Sequence, residues 1–193
     1  MFNDKYGLTE AVLQGRKIMT RRVISNQQAI YSLDEQEYIG NMCVDYYFCD
    51  RYSPYKVGEV VAIAQSYKDI FHNADFEMVG DEFMTETAGW NNKMFVKADL
   101  MPHRIRITDL KVERLQDISD EDCLKEGVYY DADVDGYKFF NLSLPNKKWG
   151  HKFRQTYFKT PRKAFAALID KVSGRGMWER NPWVFAYTYE LVK

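Results

Sequence analysis

Residues 103–128 read HRIRITDLKVERLQDISDEDCLKEGV. The first half alternates. Ile105 and Ile107 point one way and Arg104 and Arg106 the other, the period of a half-buried strand. The alternation breaks near Asp109 and resumes in a shifted register before Val112, so a bulge or two separate strands is expected. Ser119 then stands three residues ahead of Asp122, resembling a capping box that opens a helix. Gly127 supplies a C-terminal stop, because glycine enters the left-handed region without steric cost. The stretch therefore predicts a strand, then a short helix of about two turns, then a sharp exit.

Similar signals extend outward in both directions. LTEAVLQG (8–15) places Leu8, Val12 and Leu13 on one helical face and stops at Gly15. GRKIMTRRVI (15–24) runs on toward an extended segment, and YKVGEVVAIAQSY (55–67) reads as a turn glycine followed by a buried strand. Thr160 and Pro161 fit N-cap and N1 of a third helix, striped by Phe165, Leu168, Ile169 and Val172 and ended by Gly174. In NPWVFAYTYELVK (181–193) Trp183, Phe185, Tyr187, Tyr189 and Leu191 alternate onto one face of a closing strand. Several strands with few helices in mixed order imply an α+β domain built on a curved sheet or small barrel. Residues 25–54, 68–100 and 129–159 are polar, aromatic and without a clear period. They read as insertions on a single domain spanning 1–193, not as a second domain.

Composition bounds the function classes. The 193 residues are 46% hydrophobic and 28% charged, as in an ordinary globular protein, and the 16% aromatic share favours strands. No apolar run is long enough to span a bilayer and the N-terminus lacks a signal-peptide pattern, so no membrane partner is expected. Cys43, Cys49 and Cys123 are odd in number and lack zinc-site spacing, which points to reduced thiols and a cytoplasmic location. His72, His103 and His151 have no paired ligand at helical spacing. DADVDG (131–136) imitates the start of a calcium loop, but its twelfth position is Leu142, where a bidentate glutamate is needed. Neither a metal nor a cofactor is expected.

The charge is unevenly spread. The net charge is -1, yet GRKIMTRR (15–22) holds four cations and no acid. Residues 117–135 carry eight acids and one lysine, whereas 136–169 carry eight Lys or Arg and no acid. Within the basic half, KKWGHKFRQTYFKTPRK (147–163) mixes cations with Trp149, Phe153, Tyr157 and Phe158. Cations that attract phosphate, interleaved with rings that stack on bases, suit single-stranded nucleic acid, with Lys152 and Arg154 as phosphate contacts. The alternative is a solvated basic loop whose rings cover part of the core.

Several of these stretches resemble one family. GRKIMTRR, following a short helix, looks like the G-x-K-x-x-T-x-R signature of ASCH domains, relatives of the PUA RNA-binding fold. VGEVVAIAQSY resembles the glycine-acid turn and strand that follow it. MPHRIRITDLKVERLQDISDEDCLKEGV and WERNPWVFAYTYEL are similar to segments of phage- and prophage-type ASCH proteins. Together these cover about half of the chain in the family's order. Two departures stand out. Ala64 and Gln65 occupy the place of a common Arg-Glu pair, and His103 alone separates Met101-Pro102 from Arg104. The resemblance implies a PUA-like small β-barrel with flanking helices and a cleft beside the signature.

It also implies a chemistry. Some small ASCH proteins are amidohydrolases that remove acetyl from N4-acetylcytidine, and the lysine, threonine and acid implicated there fall on Lys17, Thr20 and Glu126. Thr20 would supply an oxygen nucleophile or position a water, Lys17 would act as its base, and Glu126 would pass a proton to the leaving amine. Arg22 or Arg104 would bind a carbonyl oxygen or a phosphate. A regular strand opposes this, since residues three apart face opposite sides. The alternative is that the Arg and Lys residues at the start of the strand pair with the acids of 117–126 while Thr20 packs. The leading reading is a cationic cleft that binds RNA or a modified nucleotide through Arg16, Arg21, Arg22, Arg104, Lys152 and Arg154. The alternatives are the amidohydrolase and a prophage accessory protein that contacts another protein through YYFCDRYSPY (46–55).

Overall fold

A computed structural model of the protein describes residues 2, 4–40, 46–71, 77–139 and 157–192. In chain order the helices are α1 (Leu8–Leu13), α2 (Gln27–Tyr38), α3 (Tyr46–Tyr52), α4 (Tyr67–Ile70), α5 (Asp120–Lys125), α6 (Pro161–Ser173) and α7 (Met177–Arg180). The strands are β1 (Met19–Val23), β2 (Val60–Ala62), β3 (Met78–Val79), β4 (Glu82–Phe83), β5 (Arg104–Arg114), β6 (Val128–Asp131), β7 (Gly136–Phe139) and β8 (Trp183–Val192). One antiparallel sheet in the order β1-β8-β5-β2 curls into half a barrel. Two small hairpins, β3–β4 and β6–β7, stand apart from it. The chain is thus a mixed helix and strand protein, as its sequence pattern implies. No described helix is long and apolar enough to cross a membrane.

The expected break in the 103–118 segment is a bulge inside one strand. Pairing along β8 passes from Ile107–Tyr189 directly to Asp109–Thr188. The extra residue keeps Ile105, Ile107, Leu110 and Val112 on one face, whereas an unbroken strand would have turned the last two outward. That face, with Phe185, Tyr187 and Tyr189 of β8, meets Leu8 and Val12 of α1, Ala29 and Leu33 of α2, and Phe48 of α3. On the opposite face Val184 joins Leu115, Ile118, Cys123, Val128, Ala164 and Phe165 beneath α5 and α6. The sheet therefore separates two apolar clusters.

Local signals explain the helix ends. The Ser119 hydroxyl accepts the Asp122 N–H at 3.1 Å, and the Thr160 hydroxyl accepts the Lys163 N–H at 3.2 Å, with Pro161 opening α6. Gly127 leaves α5 at a φ of +104°, a conformation other residues rarely adopt.

Two expectations need correction. Residues 55–67 do not form a buried strand. β2 is three residues long and lies at the edge of the sheet, with Val60 44% exposed. Its apolar run is split between a turn, an edge and Ile63, which is fully buried in the core while Val61 packs against it half-buried. Residues 25–54, expected to be irregular, hold α2 and α3. The buried positions of α2 are Ala29 and Leu33, a stripe too thin to register against its polar neighbours. α2 is anchored by polar groups instead. Asp34 accepts the indole N–H of buried Trp183 at 2.8 Å and pairs with Arg114, whose guanidinium lies 4.1 Å from the center of the Trp183 ring.

Candidate functional site

After α1 the chain turns at Gly15, where φ is +70°, and the N–H groups of Arg16 and Lys17 both donate to the Ala11 carbonyl. Ile18 then bonds through its N–H to Lys125 at the end of α5, and through its carbonyl to Tyr189 of β8. These ties hold Lys17 just ahead of β1, off the regular pleat. The rule that residues three apart face opposite sides therefore does not govern Lys17 and Thr20, and both line one cavity of about 500 Å3. The cavity lies beside β1, at the open edge of the sheet, with α6 forming an apolar wall through Phe165 and Leu168.

Lys17 is 2% exposed and Glu126 4%. The Lys17 ammonium donates to Glu126 Oε2 at 2.5 Å, to the Glu126 carbonyl at 2.9 Å and to the Met19 carbonyl at 2.7 Å. Burial pulls the lysine below its ordinary pKa. Glu126 opposes that pull, and the positive charges of Arg22 and Arg21 add to it. Tyr189, beside the pair, is held well above its ordinary value by burial, with Glu126 adding to the shift.

Arg21 points to the other face of β1. Its side chain is 1% exposed. It donates to Glu113 Oε1 at 2.8 Å, to Glu126 Oε1 at 3.1 Å and to Asp122 Oδ2 at 3.1 Å. Register explains the grouping, because Arg21 and Lys111 flank Ala186 on one row of the sheet, with α5 above them. Lys111 bridges Asp122 and Glu113 at 2.8 and 3.0 Å, and Lys125 reaches Asp122 at 3.1 Å. Burial opposes the ionised Asp122, but hydrogen bonds from Lys111 and Lys125 and the nearby cations outweigh it and lower its pKa to about 2. Burial also pushes the Cys123 thiol up to about 12.

Each expected site residue now has a place. Lys17, Thr20, Arg21, Arg22 and Glu126 all line the cavity. Arg21, expected to meet phosphate, instead has its donors directed at three carboxylates. Arg16 is exposed and bonds to Gln14, and Arg104 is exposed on the face opposite Ile105; neither lines the cavity. Lys152 and Arg154 lie outside the described residues, as does most of the basic-aromatic stretch.

Sequence reasoning missed Phe2, Lys5 and Lys93, which also line the cavity. Lys93 pairs with Asp4 at 2.8 Å and donates to the Phe2 carbonyl, and the Phe2 ring sits 5.8 Å from that of Tyr189. No periodic signal marks an isolated residue such as Phe2. Five cationic side chains and two carboxylates line the cavity, so it attracts anions and electron-rich oxygens. No protein-family model, curated protein or solved structure matches the chain.

Proposed function

We propose that the protein is an ASCH-type amidohydrolase with a PUA-like barrel, which removes the acyl group from an N4-acylated cytidine nucleoside. The observation that carries this reading is the buried Lys17–Glu126 pair in the same cavity as Thr20, within a volume suited to a nucleoside. The order of the ASCH-like motifs along the chain supports it too. A polymer-binding reading draws less support, because Arg21 is engaged by carboxylates and Arg16 and Arg104 lie away from the cavity.

The chemistry starts from a proton shared within the pair. Glu126 takes one proton from Lys17 and leaves a neutral amine, a state favoured by the lysine's burial and by the charge of Arg22. The amine removes the proton of the Thr20 hydroxyl, or of a water that Thr20 holds, and the oxygen attacks the acyl carbon. Arg22 donates to the oxyanion that forms. As the C–N bond breaks, the Lys17 ammonium returns its proton to N4 and cytidine leaves as the free amine. If Thr20 has been acylated, a water activated by Lys17 hydrolyses the ester and releases the carboxylic acid. Lys5 adds positive charge suited to a phosphate on the nucleoside.

The test is cytidine release from N4-acylcytidines with acyl groups from acetyl to benzoyl. Lys17→Ala, Thr20→Val and Glu126→Gln should each lower kcat/KM by about 100-fold or more. A wild-type rate in Lys17→Ala, or no release from any of these substrates by the wild type, overturns the reading.

A further inference from the structure

A second cavity, of about 220 Å3, adjoins the first inside the curl of the sheet. Thr20, Arg22 and Phe2 line both cavities. The remaining walls of the smaller one differ in chemistry. Val61, Ile63, Ile105 and Ile107 supply aliphatic surface, and Tyr55 and Tyr187 supply rings set edge to face, with centers 5.7 Å apart. The Tyr187 hydroxyl is tied to Ser53 Oγ at 2.7 Å, so that tyrosine presents its ring to the space while its polar atom is satisfied elsewhere. The two compartments are thus one cationic and one apolar, meeting at the threonine and arginine that the proposed chemistry uses.

We infer that the smaller cavity is the acyl subsite and that it takes an apolar acyl group of about benzoyl size in preference to acetyl. This rests on the amidohydrolase reading above. An amide bond held at Thr20 has two sides. The nucleoside, polar and able to carry phosphate, matches the larger compartment, and the acyl chain matches the smaller. Size decides the rest. A dry, apolar cavity of about 150 Å3 accommodates benzene, so 220 Å3 has room for a benzoyl or hexanoyl group. An acetyl group would leave most of those walls without a partner, and each unmatched methylene forfeits about tenfold or more in discrimination. The acid product has the same two parts, with its carboxylate at Arg22 and its apolar body between Ile63 and Ile105.

The experiment compares kcat/KM for N4-benzoyl- and N4-acetylcytidine, and in parallel the affinities of benzoate and acetate by calorimetry. Wild type should favour benzoyl by about tenfold or more. Val61→Phe, which fills the cavity from its half-buried rim, should lower the benzoyl-to-acetyl ratio by a similar factor. Ala64→Leu is the second variant should Val61→Phe fail to fold. Turnover of acetyl equal to or better than benzoyl, or a ratio that neither folded variant moves, overturns the inference and leaves the amidohydrolase standing. No turnover of either amide, with benzoate still preferred over acetate and the preference lost in the variants, overturns the amidohydrolase and supports the apolar cavity as a site for such acids. No turnover and no benzoate preference overturns both.

Discussion

The side chains around Arg21 show how a neutral chain can build a concentrated charged site. Three carboxylates and four cations, Lys17, Arg21, Lys111 and Lys125, interlock there, and most of them share more than one partner, with Asp122 held by three cations. Asp122 offers the cleanest measurement. Its folded pKa of about 2 lies below its ordinary 3.8, so the stabilisation is fully present above about pH 4 and is lost as pH falls through 2. Asp122→Asn should therefore cost about 2 kcal/mol near neutrality. Urea unfolding of the two proteins should show that difference shrinking toward zero at pH 2. At this scale the sequence was half legible. Lys17, Thr20 and Glu126 stood out through the ASCH resemblance, and they do share a cavity. Pairing of the basic stretch with the acids of 117–126 was legible as an alternative, and Lys17 and Arg21 do make it. That Arg21 rather than its neighbours would turn toward Asp122 was not, because which face of β1 looks inward depends on where α5 docks, and no local pattern records that.

At the scale of elements, the segments that were readable are those whose signals are local. The capped start of α5, the Thr160–Pro161 start of α6 and the shifted alternation of β5 depend on residues within a turn or two of each other. β2 and α2 were misread because their identity depends on distant partners, the edge of a sheet in one case and Trp183 and Arg114 in the other. Gly127 joins the two kinds. It ends α5 and sets the direction in which Glu126 meets Lys17. An added Cβ would sit 3.4 Å from Leu8 Cδ2 and 3.7 Å from Lys17 Cδ, on a backbone with φ of +104°. Gly127→Ala should cost about 1–3 kcal/mol of stability, chiefly through that backbone strain. A denaturation midpoint equal to that of the wild type would show that the exit from α5 adjusts without strain.

For the whole molecule, the sheet acts as a partition. One apolar cluster holds α1, α2 and α3 to the inner face, and the other holds α5 to the outer face. α6 joins both, through Leu168 on one side and Ala164 and Phe165 on the other, and the cavity opens beside β1 where the partition ends. Docking of α2 rests on few apolar contacts, so its polar anchor matters more than such anchors usually do. Asp34→Ala should remove the acceptor of the buried Trp183 N–H and cost about 1–3 kcal/mol, read as a lower unfolding midpoint. Loss of the pairing with Arg114 adds little, since the Asp34 side chain is half exposed.

The same contact gives the protein a built-in optical gauge. Trp183 is 4% exposed, with its ring covered by a guanidinium on one side and its nitrogen held by a carboxylate. Such an indole emits at shorter wavelength than one in water. Lifting α2 would bring solvent to it and redden the emission, so with Trp90, Trp149 and Trp178 replaced by Phe the separation of this one helix from the sheet can be followed in real time without attaching a dye.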